Sequence, residues 1–133
     1  MPQLRILMVE DCAADIYQLK GLVAATDLRA SLDCVPDGPS ALARLEGETF
    51  SLIMVAVPLA GASRLALVST IRSDPRHANI PVVVLASSGS DDAVLAALDA
   101  GADQYIEKPL DETTLQKVLS STRAFAYTVS RRA

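Results

Sequence analysis

Two adjacent carboxylates, Glu10 and Asp11, follow a short apolar run, and far along the chain Lys108 stands directly before Pro109. Two carboxylates and an amine of this kind are the groups from which a site could be built. Adjacent acids in a loop are commonly just solvated, but a lysine ahead of a proline at a strand end can reach back and pair with Asp11. The same acids argue against a nucleotide site. A phosphate cradle wants glycines and free backbone N–H groups, whereas the first turn here reads Glu10-Asp11-Cys12-Ala13-Ala14. Equally informative is a gap: from Thr49 through Ser73 there is no Asp or Glu, so the apolar run Leu52-Ile53-Met54-Val55-Ala56-Val57 ends without an acid. Cys12 and Cys34 are too few and wrongly spaced for a metal pattern and read as reduced cytosolic thiols. His77, the single histidine, falls in the polar stretch Arg76-His77-Ala78-Asn79 and reads as a surface-loop residue without a catalytic role.

The elements that must position these residues are legible in the hydrophobic pattern. Five apolar segments, Arg5 to Val9, Ser31 to Val35, Leu52 to Val57, Val82 to Ala86 and Gln104 to Glu107, alternate with stretches of helical period. That alternation predicts an α/β fold, a doubly wound parallel sheet with helices on both faces. The inward helical positions are Ile16, Leu19, Leu22 and Val23, then Ala41, Leu42 and Leu45, then Leu65, Leu67, Val68 and Ile71. The third helix should stop at Ser73-Asp74-Pro75, because the residue before proline is biased away from helix. The fourth should begin at Asp91 or Asp92 and end at Ala100-Gly101, with the glycine as a left-handed cap. The last should start near Asp111, carry Leu115, Val118 and Leu119 inward, and extend towards Ser130. Phe125 and Tyr127 exceed what one inward face needs and could cover the core's edge or join an association surface.

Composition bounds the rest. The chain has 133 residues, half of them apolar, enough for one core without disulfides or metals. Residues 1–133 are accordingly expected to form a single domain with no output domain. A net charge of −4 and a pI near 4.8 leave no basic stripe for a nucleic-acid backbone. No apolar run approaches the roughly 18 residues of a membrane span, and no signal peptide precedes the first strand, so a cytoplasmic location is expected.

In their order and spacing, several fragments together resemble the response regulator receiver domain, the CheY-like family. They are Val9-Glu10-Asp11 with Asp15, Asp37-Gly38, Ile71-Arg72-Ser73-Asp74-Pro75, Ile80-Pro81-Val82-Val83-Val84-Leu85 and Gly101-Ala102-Asp103-Gln104-Tyr105-Ile106-Glu107-Lys108-Pro109-Leu110. The spacing to Asp15 is similar to that of the small single-domain regulators of phytochrome-type histidine kinases. The resemblance implies a flavodoxin-like (βα)5 fold with strand order 2-1-3-4-5. It also implies a site in which two acids and an acceptor Asp hold Mg²⁺, while a hydroxyl and a lysine bind the phosphoryl group. Glu10 and Asp11 match the acidic pair, and Lys108 with Pro109 match the lysine and its cis-peptide proline. The acceptor position falls on Ala56, the position two later on Pro58 and the switch hydroxyl on Ala86. Three separate losses argue for divergence rather than for one engineered substitution.

The resemblance therefore implies a degenerate, stand-alone pseudo-receiver: no enzyme, but a two-component signalling module acting by protein contact without aspartyl phosphorylation. No cofactor is expected, and Mg²⁺ at most weakly at a remnant of Glu10 and Asp11. The expected partner is a signalling protein, either a histidine kinase or a downstream target, with no nucleic acid and no membrane. A homodimer through the fourth helix, fifth strand and fifth helix is a further expectation, with Ala93, Ala97 and Tyr105 on the contact face. Tyr105 could be a half-buried strand residue or a rotamer switch. Two rival readings are a phosphorelay receiver phosphorylated at an unconventional residue and a flavodoxin-like small-molecule binder or enzyme.

Overall fold

The computed structural model describes residues 4–26, 29–57, 62–87, 90–108 and 110–121. Its elements run β1 Leu4–Val9, α1 Ala13–Ala25, β2 Ala30–Val35, α2 Gly38–Gly47, β3 Leu52–Val57, α3 Ala62–Ser73, β4 Val82–Ala86, α4 Asp91–Ala100 and β5 Gln104–Glu107. A fifth helix, α5, covers 112–121. All strand pairs are parallel and the sheet order is β2-β1-β3-β4-β5. The expected topology is therefore present. β1 and β2 each begin one residue earlier than the apolar pattern suggests, because Leu4 pairs with Ala30 and extends the ladder. Pro58, Pro109, Phe125, Tyr127 and Ser130 lie outside the described residues.

β3 and β4 are almost wholly buried, as central strands covered on both faces must be. One face carries Leu7, Val9, Ile53, Val55, Val82 and Val84 against Ala41 and Leu45 of α2, Leu67, Val68 and Ile71 of α3, and Ala97 of α4. The other carries Ile6, Met8, Met54 and Leu85 against Leu19 and Val23 of α1 and Leu115, Val118 and Leu119 of α5. The period-2 alternation of strands and the 3.6 period of helices thus sort the apolar residues into two cores.

Helix ends follow local chemistry. Asp37 caps α2 by accepting from the Ser40 amide at 2.8 Å, and Ser90 caps α4 by accepting from the Ala93 amide at 3.3 Å. At the other end of α4, Gly101 takes φ 112°, the left-handed conformation that lets a chain leave a helix. A Cβ there would also stand 2.9 Å from Cγ of Arg72, whose guanidinium reaches the carbonyls of Gly101, Ala78 and Ile80 and the carboxylate of Asp103. Asp103 in turn accepts from the Val82 amide at 2.8 Å. This stitching holds the N-terminal ends of β4 and β5 in register.

The surface-loop reading of His77 is corrected: the residue is buried, at 8% exposure. Consecutive turns, His77 N–H to Asp74 C=O at 2.9 Å and Ile80 N–H to His77 C=O at 3.1 Å, fold the loop back on itself. Arg76 then bridges Asp74 to Glu46 of α2, drawing the loop against the base of that helix.

Candidate functional site

The C-terminal ends of β1, β3 and β4 open onto one crevice, the place where doubly wound sheets carry their sites. Glu10 continues β1 by one residue, its amide donating to the Val35 carbonyl at 3.0 Å. Its side chain is buried and folded back over the first turn, where Oε1 accepts from the amides of Asp11 and Cys12, both at 3.0 Å. Oε2 is left facing Lys108, whose Nζ donates to it at 2.9 Å. The same Nζ donates to Oδ2 of Asp15, in the first turn of α1, also at 2.9 Å. Lys108 is placed by its own backbone, with its amide donating to the Ala86 carbonyl at 2.8 Å.

The expected pair between Lys108 and Asp11 is thus corrected. Glu10 and Asp15 lie on the lysine side of the turn, while Asp11 points outward with 71% of its side chain exposed. Burial disfavours the charged ammonium, yet the hydrogen bonds to Asp15 and Glu10 outweigh it and hold Lys108 above its ordinary value.

Asp11 faces a different cation, Arg64, at 3.7 Å. Arg64 Nη1 donates to the carbonyl of Ala56 at 2.8 Å and to that of Val9 at 3.3 Å, and Nη2 donates to the carbonyl of Pro36 at 3.1 Å. Sequence reading missed this residue, although a signal existed. Arg64 is the sole charged residue between Thr49 and Ile71, in the segment that lacks acids.

The alanines at the positions that the resemblance assigns to the acceptor and the switch hydroxyl are both buried, Ala56 at 2% and Ala86 at 4% exposure. Ala56 packs with Met8, Met54 and Leu85, and Ala86 with Val84, Ala97 and the half-buried Tyr105. The Tyr105 hydroxyl is buried and has no hydrogen-bond partner among the described residues. Burial, and after it the charge of Glu107, pushes this phenol up. Ala97, expected on an approach face, is fully buried, and that expectation is corrected. Positions 93, 97 and 100 share one face of α4 at spacings of four and three, and it is the face turned to the core. Leu95 and Leu98 are the large apolar residues that α4 leaves exposed.

The Mg²⁺ that the resemblance implies does not fit these residues. Both oxygens of Glu10 are taken, position 56 supplies a methyl group, and the carbonyls of Val9 and Ala56 already accept from a cation. Among the described residues, no group of three or more His, Cys, Asp or Glu side chains is arranged to hold a metal ion. Beside the crevice lies a recess of about 50 Å³, floored by Met8, Leu19, Leu22, Leu85 and Leu110 with Glu10, Asp15 and Lys108 at its mouth. That is room for water molecules, far short of the roughly 300 Å³ of a ligand pocket.

Comparison with known proteins bears on the same residues. The response regulator receiver domain family matches residues 6–120. The chain is 33% identical over 106 residues to the gliding motility regulatory protein of Myxococcus xanthus, covering 80% of this chain and 13% of that protein. It is 29% identical over 120 residues to the response regulator PleD of Caulobacter vibrioides, covering 90% of this chain and 26% of that one. It thus spans only a minor part of either relative's length. The crystal structure of the phosphorylated cyanobacterial phytochrome response regulator RcpA is similar at a TM-score of 0.75 and 27% identity, covering 93% of this chain and 94% of that chain. With the strand order, the acidic turn and the lysine that follows β5 in their places and the family match running through all of them, the chain belongs to the response regulator receiver domain family, a signalling module of two-component systems.

Proposed function

We propose that this receiver domain signals by protein contact and takes no phosphoryl group on aspartate. One observation carries the reading: Lys108, the cation that would meet a phosphoryl group, is bound to Glu10 and Asp15, while the acceptor position holds the buried Ala56. A phosphoryl group moving onto a carboxylate needs an acceptor and free cations to neutralise its oxygens. The acceptor is gone and both cations of the crevice are engaged. The domain works without a cofactor, holds Mg²⁺ weakly at best, and catalyses nothing by itself.

Its partner is a signalling protein, a histidine kinase or a downstream target, and its place of action is the cytoplasm. The contact surface is the face built by α4, β5 and α5, which also suits a homodimer. Leu95 and Leu98 take the role there that Ala97 cannot, because they are exposed at 57% and 44%.

Acetyl phosphate, or a kinase with Mg²⁺, should add no phosphoryl mass to the intact protein. A gain of one phosphoryl group mapped to an Asp of the crevice would overturn the reading in favour of an unconventional acceptor.

A further inference from the structure

The cation among the acids of this crevice is built into the chain. Arg64 sits in the first turn of α3 with its side chain only 13% exposed. Four oxygens converge on its guanidinium: the carbonyls of Ala56, Val9 and Pro36, and the carboxylate of Asp11. They come from the ends of three neighbouring strands and the turn into α1. Carbonyl and carboxylate oxygens are the donors that a hard divalent ion prefers. Here they are already turned towards a planar, delocalised charge that does not titrate at any ordinary pH. A divalent ion brought to Asp11 would lie a few ångströms from that charge, well inside the roughly 8–10 Å over which salt screens, so the two would repel each other.

We infer that Arg64 is the resident counter-ion of Asp11, as Lys108 is of Glu10, and that it excludes divalent cations from this turn. The inference rests on the reading of the crevice given above, but the two fail separately: phosphoryl transfer turns on position 56, cation exclusion on position 64. A purely structural clamp makes a different forecast, because its removal would lower stability and leave cation affinity unchanged.

Manganese binding to the full chain tests it, followed by the electron paramagnetic resonance of free Mn²⁺ and by paramagnetic broadening of amide signals. The parent should show no saturable binding through the millimolar range. Arg64→Gln and Arg64→Ala should bind about tenfold more tightly or better, with broadening centred on the amides of Asp11 and Cys12. Arg64→Lys, which keeps the charge, should stay near the parent. Broadening at Asp11 in the parent would overturn the proposal, and because it needs no substitution it does so even where a variant fails to fold. Folded Gln and Ala variants with parental affinity, or a Lys variant that gains as much as Gln, would overturn it equally.

Discussion

Lys108 and Glu10, 98 positions apart in the chain, meet at 2.9 Å in an ion pair whose carboxylate is almost fully buried. Removing the lysine leaves that carboxylate with only the amides of Asp11 and Cys12. We expect Lys108→Ala to destabilise the domain by about 2–3 kcal/mol, since a buried charge that loses its ionic partner is costly. The double variant Glu10→Gln with Lys108→Ala should recover part of the loss, with a coupling of at least about 1 kcal/mol in a urea-melt cycle. Strict additivity would show that the pair is only a neighbourhood.

The two faces of α4 separate fold from association. Ala97→Glu buries an unpaired charge and should cost about 3 kcal/mol or more, enough to compromise folding. Leu95→Glu should change stability by no more than about 0.5 kcal/mol, as exposed substitutions do. It should nevertheless abolish self-association or capture of the partner. Ala43→Glu, on the exposed side of α2, should do neither. Circular dichroism melts and light scattering on the three variants decide, and a Leu95→Glu variant that associates normally removes this face from consideration.

The Tyr105 hydroxyl is buried without a hydrogen bond among the described residues, and an unsatisfied buried polar group destabilises. Tyr105→Phe should therefore stabilise the domain by about 1 kcal/mol in denaturant melts. A loss of stability would mean that the hydroxyl finds a partner in solution.

Stability towards acid should depend on Glu48. Arg44, and after it Arg5, hold the Glu48 carboxyl down from 4.5 to about 2. A carboxylate with a depressed folded value contributes stability that is fully present above about 4.5 and lost as the pH falls through about 2. The melting temperature of Glu48→Gln should lie below that of the parent at neutral pH, and the difference should close between about pH 4.5 and 2. A difference that persists at pH 2 would rule out this origin.

Much of the fold was legible because periodicity is a local signal. The apolar runs of β3 and β4 could be nothing but covered strands, and Asp91-Asp92 with Gly101 marked both ends of α4 before any tertiary information entered. The motif order placed Ala56 and Ala86 at the ends of β3 and β4, and it is the structure that adds their burial. What sequence could not supply was direction. Glu10 and Asp11 are adjacent and chemically alike, yet one turns inward to Lys108 and the other outward to Arg64. Small residues on α4 read as an approach surface, when their size instead lets the helix sit close to the sheet. His77 looked polar and exposed because the Arg76 bridge that draws its loop against α2 joins residues 30 positions apart.

Of the four oxygens around Arg64, three belong to the main chain: its partners at positions 9, 36 and 56 are carbonyl groups that every amino acid carries. A change of side chain at position 56 leaves that grip intact, so natural selection is free to alter the position while the clamp persists. The same property bears on any carboxylate placed there. An Asp returning at position 56 would arrive in a crevice whose oxygens still face an arginine, and its advantage would wait on a second change at position 64. Side chains at positions 56 and 64 are therefore coupled through a main-chain carbonyl, and the effect of an Asp at 56 depends on what stands at 64.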